Sequence, residues 1–208
     1  MNYNLSSEIP TAQIPIEKLP ANLADIENLL KENASIGFNQ SSEITRRKTW
    51  EFGYIFQWMR EGNFQSIEIP KILINILEST IQALKNDNIE RVEDFNNVII
   101  SDYTKGPGLQ PHIDVLQTDQ KGFYFGPNII GLILLADETG GLFLQTQGST
   151  VLNNKPSYNA NQARHLKERN GLAYMLNGQR PREKDYHGVS PISKRRVSLT
   201  FRTTHFIV

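Results

Sequence analysis

Two short motifs, PHID and YHG, hold His112, Asp114 and His187 in a chain with only four histidines. Two imidazoles and one carboxylate can take three adjoining positions around an octahedral metal and leave the opposite face open. Non-haem Fe(II) uses that arrangement to bind an organic co-substrate and O₂. In an extended segment residues i and i+2 point the same way, so His112 and Asp114 can converge on one ion while Ile113 turns to the core. His187 then has to arrive from a strand end on the other side of a pocket. Taken alone, an HxD pair is equally compatible with ordinary hydrogen-bonded residues.

The last strand adds a second constellation. In RRVSLTFR, Arg196, Ser198, Thr200 and Arg202 alternate with Val197, Leu199 and Phe201 and therefore share one face. Such a face is either solvated or needs partners, because unpaired buried charges are costly. A dicarboxylate held between two guanidinium forks would satisfy it, since arginine grips carboxylates bidentately. Arg195, on the opposite parity, is expected at the surface.

The elements that must position these groups follow from periodicity. Residues 1–19, with Pro10 and Pro15, are expected to form an extended arm. A helix follows Pro20, with Leu23, Ile26, Leu29 and Leu30 in register, and a second follows Pro70, with Ile72, Leu73, Ile76, Leu77, Ile81 and Leu84 on one stripe. Between them TWEFGYIFQW reads as a strand whose aromatic face is either core or substrate wall. From Asn97 onward the texture is mostly β. The apolar run Ile129–Ala136 suits a central strand buried on both faces, and TKGPG and DETGG are turns. Early helices and later short strands predict a β-sandwich with helices packed on one face.

Composition sets limits. Twenty-two basic residues balance 22 acidic ones, which gives no bulk field for non-specific duplex binding, although Arg46, Arg47 and Lys48 form a local basic run. The absence of cysteine excludes disulfides, zinc–thiolate sites, iron–sulfur clusters and thiol nucleophiles. The start MNYNLSSEIP lacks the basic and apolar regions of a signal peptide, and no apolar run spans a bilayer, so a cytoplasmic protein without a membrane partner is expected.

The order SDYTKGPGLQPHID, YHGVSP, RRVSLTFR resembles the AlkB-type Fe(II)/2-oxoglutarate dioxygenases. TRRKTWEFGYIF and GLAYMLNGQR are similar to flanking parts of that family, and the likeness covers roughly Thr45 to Thr203. It implies an α+β fold with a double-stranded β-helix (jelly-roll, cupin-like) core and N-terminal helices packed on one sheet. An arm and helix over 1–40 would precede a dioxygenase domain over 41–208. The resemblance also implies Fe(II), 2-oxoglutarate and O₂, with His112, Asp114 and His187 as iron ligands. Arg196 would meet the distal carboxylate of 2-oxoglutarate and Tyr103 would hydrogen-bond it. Arg202 would lie near the keto-acid end and the substrate. Ser101 and Ser198 stand where the family usually has asparagines and would donate with shorter reach. Asp114 implies hydroxylation rather than halogenation.

For the prime substrate, the likeness implies an alkylated base in DNA or RNA, demethylated or hydroxylated by a monomer. Leu116 replaces a polar residue that handles the base in DNA-repair members, and Arg47 falls where they carry a stacking aromatic. Both departures leave a small metabolite or a protein side chain as the alternative. The aromatics of QKGFYFGPN, Gln120–Asn128, either stack on such a substrate or pack in the core.

Overall fold

A computed structural model describes residues 8–34, 46–56, 59, 62–85, 91–114, 122–146, 151–152, 155–177 and 185–206. In chain order the first strands are β1 (Thr11–Gln13), β2 (Arg47–Tyr54), β3 (Ser66–Ile67), β4 (Asn97–Gly106), β5 (Leu109–His112), β6 (Phe123–Leu135) and β7 (Leu142–Thr146). They are followed by β8 (Val151–Leu152), β9 (Lys155–Pro156), β10 (Arg164–His165), β11 (Leu172–Leu176), β12 (Asp185–Val189) and β13 (Ile192–Phe206). The helices are α1 (Leu23–Glu32) and α2 (Lys71–Leu84).

The strands form two main antiparallel sheets, a larger one in the order β1-β11-β6-β13-β4-β2-β3 and a smaller one in the order β10-β7-β12-β5. A short pair, β8-β9, stands apart from both. This is a jelly-roll of the expected class. The arm does more than precede it, because β1 pairs with β11 as an edge strand.

α1 starts at Asn22, whose side chain accepts from the Asp25 N–H while the Asp25 carboxylate accepts from the Asn22 N–H. That reciprocal cap satisfies two backbone donors that the first turn leaves open. α2 begins after Pro70, which presets the helical entry, and ends at Lys85 in the left-handed region. Its buried stripe Leu73, Ile76, Leu77 and Leu84 lies in one cluster with Ile26 and Leu30 of α1 and with Phe52, Val98, Ile100, Leu132, Met175, Leu199 and Phe201 from the large sheet. Along β2 the aromatic face is core, as Phe52 and half-buried Trp50 show, whereas Phe56, on the same parity just beyond the strand, lines a cavity.

The opposite face of the large sheet meets the small sheet. A second cluster joins Ile129, Ile133, Leu172, Tyr174 and Leu176 to Leu142 and Leu144. β6 is thus apolar on both faces along Ile129–Leu134, as its sequence predicts for a central strand. Gly131 is required there, since a Cβ would lie 2.0 Å from the ring of Tyr174, its register partner on β11.

Register then organises the inner face. Arg47, Tyr103 and Arg196 are direct partners across β2, β4 and β13. Thr49, Ser101 and Ser198 form the next row, Glu51, Ile99 and Thr200 the one after. A polar grid on this face borders an apolar one, and the gap above it is where a ligand can enter. The strand β13 is anchored before Arg196 by Asp137, whose carboxylate accepts from the N–H groups of Thr139, Gly140, Ser193 and Lys194. These bonds outweigh partial desolvation and hold the Asp137 carboxyl far below the usual carboxylate range.

Candidate metal centre and co-substrate cavity

β5 and β12 bring the two histidines together. His112 and His187 are direct partners in the antiparallel register, and their ring centroids are 4.4 Å apart. His187 therefore sits within a strand adjacent to His112 rather than at a strand end across the pocket. A side-by-side pair on one sheet places both imidazoles on one face without a long connection. Asp114, just beyond β5, completes the group: its Oδ1 is 3.7 Å from Nε2 of each histidine. One ligand atom from each residue lies within 4.8 Å of the others.

Three observations fit this set to a divalent ion. His112 Nδ1 lies 2.9 Å from the Gln110 carbonyl, so Nδ1–H donates there and the Nε2 lone pair is left for an ion. His187 is buried, and neither of its ring nitrogens has a hydrogen-bond partner among the described residues. Buried polar atoms are rarely left so unless a ligand or ion satisfies them. Ligands bound at about 2.1 Å at right angles would be roughly 3 Å apart, and the observed spacing is that arrangement slightly opened.

Electrostatics prepare the same charge states. Burial opposes ionisation of Asp114, but the Arg202 guanidinium and the two imidazoles hold its carboxyl well below the ordinary value. Arg202 Nε donates to Asp114 Oδ2 at 3.0 Å and Nη1 donates to Thr200 at 2.9 Å. Desolvation and the neighbouring His187 push His112 down to about 4, against the pull of Asp114. The carboxylate is ionised and the His112 imidazole neutral at neutral pH, as metal ligation requires.

A cavity of about 420 Å³ opens beside the triad. That is within the range for small-ligand sites, roughly 300–1,000 Å³. Every residue singled out for metal or co-substrate lines it: Ser101, Tyr103, His112, Asp114, His187, Arg196, Ser198 and Arg202. Phe125 does too, beneath the Arg202 guanidinium at 5.5 Å, whereas Phe123 is core and Tyr124 stacks on His205. Arg195 pairs outside with Asp102 and Glu27.

Both arginines on this strand face already have protein partners. Arg196 donates through Nε and Nη2 to Glu168 at 2.8 and 2.7 Å and through Nη1 to Ser198 at 2.8 Å. Arg202 is bonded to Asp114. Protein carboxylates thus supply the partners that the polar strand face demands. Glu168 escaped sequence reading because it lies in the loop KERNG, 28 residues from Arg196, with no local pattern to mark it. Arg47, Thr49 and Glu51 also line the cavity. They alternate with Trp50 and Phe52 as the polar residues of β13 alternate with apolar ones, so the same parity argument would have found them. The basic run consequently divides: Arg47 turns inward, while Arg46 and Lys48 are exposed. Leu116 and Gln120 lie outside the described residues.

No family profile matches the chain and no curated protein matches it in sequence. Solved structures do. OsALKBH1 superposes with a TM-score of 0.52 at 16% identity, over 93% of this chain and 97% of its own. A prolyl hydroxylase from Trichoplax adhaerens, in complex with a hypoxia inducible factor oxygen degradation domain peptide fragment, superposes with a TM-score of 0.54 at 14% identity, over 95% and 84%. The chain shares the overall fold of these two proteins. Among the described residues no helix is long and apolar enough to cross a membrane.

Proposed function

We propose that the chain is an Fe(II)/2-oxoglutarate-dependent dioxygenase that demethylates or hydroxylates an alkylated nucleobase in DNA or RNA. The observation that carries the reading is the His112–Asp114–His187 group at the edge of a cavity lined by Tyr103, Ser101 and Ser198. When bound, Fe(II) and 2-oxoglutarate supply the oxidising chemistry: O₂ is consumed, the oxo acid becomes succinate and CO₂, and one oxygen enters a substrate C–H bond.

The chain's own residues do the rest. His112, Asp114 and His187 hold the ion, and Arg202 keeps Asp114 ionised and oriented. Phe56 and Phe125 cover the cavity with apolar surface, which limits water near the reacting carbon. Burial raises the Glu51 carboxyl above its ordinary value, against a hydrogen bond from the Phe56 N–H at 2.7 Å. Glu51 is a carboxylate acceptor in the cavity wall, and it suits an amino group on a planar base. A hydroxylated methyl on nitrogen would collapse to N–H and formaldehyde; on a carbon not bonded to nitrogen the alcohol would persist. The likeness to a prolyl hydroxylase favours a second reading, hydroxylation of a protein side chain or small metabolite.

A mass-spectrometric screen of methylated oligonucleotides beside a metabolite and peptide library separates the two. On the first reading, replacing exposed Arg46 and Lys48 by glutamine raises the KM for an oligonucleotide several-fold. It also flattens the salt dependence of that KM, because each lost phosphate contact releases fewer counterions. Conversion of 2-oxoglutarate without substrate stays unchanged. Turnover confined to uncharged small molecules or peptides would replace the nucleic-acid reading with the second.

A further inference from the structure

Glu168 changes what the deep end of the cavity can bind. Arg196 is 1% exposed, and each of its three guanidinium nitrogens already has a protein acceptor, Glu168 for two and Ser198 for the third. A second carboxylate arriving there would meet a cation already neutralised at contact distance, and would face Glu168 itself. Like charges side by side in a poorly solvated site are strongly unfavourable.

A second guanidinium stands on the other side of Tyr103. The Tyr103 ring has Arg196 at 5.5 Å and Arg47 at 5.8 Å from its centroid, because the three residues are register partners across β13, β4 and β2. Arg47 has no side-chain hydrogen bond and no ion pair among the described residues, and its Nε is buried without a partner. Two residues along the same face of β2, the hydroxyl of Thr49 is also buried and unpartnered. Ser101 is the register partner of Thr49, and all three side chains line the cavity. Unsatisfied buried donors that converge on a cavity mark a place built for an acceptor.

We propose that Arg47, with Thr49 and Ser101 beside it, receives the distal carboxylate of the 2-oxo diacid, in place of the Arg196 that Glu168 occupies. The inference rests on the 2-oxoglutarate reading above and names the residue that selects a diacid. Charge balance agrees with it. Arg47, Arg196 and Arg202 face Glu51, Glu168 and Asp114, three against three. A divalent ion together with a doubly charged diacid leaves that balance intact, whereas a singly charged oxo acid would not.

The test is calorimetric titration of the Mn(II)-loaded protein with 2-oxoglutarate and with 2-oxopentanoate, which has a methyl group where the distal carboxylate stands. Wild type binds the diacid more tightly. Arg47→Met should lower 2-oxoglutarate affinity by about tenfold or more while leaving 2-oxopentanoate unchanged, and Arg47→Lys should fall between. An Arg47→Met protein that keeps the wild-type preference overturns the inference, and so does one that loses both acids equally, which marks a structural role. If wild type binds neither acid, the 2-oxoglutarate reading falls and the inference with it.

Discussion

His187→Ala is expected to abolish both metal binding and turnover. With one donor gone, only His112 Nε2 and Asp114 Oδ1 remain, and no other histidine, aspartate or glutamate among the described residues joins the group. Supporting residues around a metal commonly contribute 10–100-fold in affinity, so a ligand should cost more than about a hundredfold. The metal-free protein should lose the packing of one buried imidazole and its attraction to Asp114 but stay folded, since no other part of the core depends on that ring's nitrogens. Isothermal titration with Mn(II), alongside thermal melts without metal, separates the two effects. A variant that binds metal as tightly as wild type would remove His187 from the site. One that melts far below wild type without metal would make it a structural residue.

Glu168→Ala should destabilise the fold severely. Both members of the Glu168–Arg196 pair have side chains only 1% exposed, and the pair is bidentate. Removing the carboxylate strands a buried guanidinium, a loss of about 3–5 kcal/mol, and also frees the Leu142 N–H that Glu168 accepts at 2.8 Å. Adding Arg196→Met to the same protein should recover a large part of that loss, since an apolar side chain of similar length leaves no charge behind. Urea denaturation of the two variants measures it. A Glu168→Ala protein within about 1 kcal/mol of wild type would mean that water or another group replaces the carboxylate.

The sequence is most informative where periodicity and burial coincide. The stripe of α2, the doubly apolar β6 and the alternation of β13 are all local patterns, and each has the element and the buried face it predicts. The candidate metal group is legible in part for a related reason: HxD puts two donors on one side by spacing, and scarce histidines leave few partners for them, while the family resemblance is what singles out His187. What fails is pairing between distant segments. Nothing near His187 states that β12 lies beside β5, and nothing near Glu168 states that its loop reaches under β13. The polar parity of β2 was visible, but the adjoining basic residues made it resemble a solvated run. The register with Tyr103 and the exposure of Arg46 and Lys48 separate Arg47 from its two neighbours.

The central claim is that His112, Asp114 and His187 bind one Fe(II) on which a 2-oxo acid can chelate. Anaerobic titration of the protein with Fe(II) and then 2-oxoglutarate, followed by visible absorption, tests it most directly. The expected result is a charge-transfer band that needs both additions, saturates at one Fe(II) per chain and is absent from Asp114→Ala and His187→Ala. Failure of the band to form in wild type, or its persistence in either variant, would contradict the account.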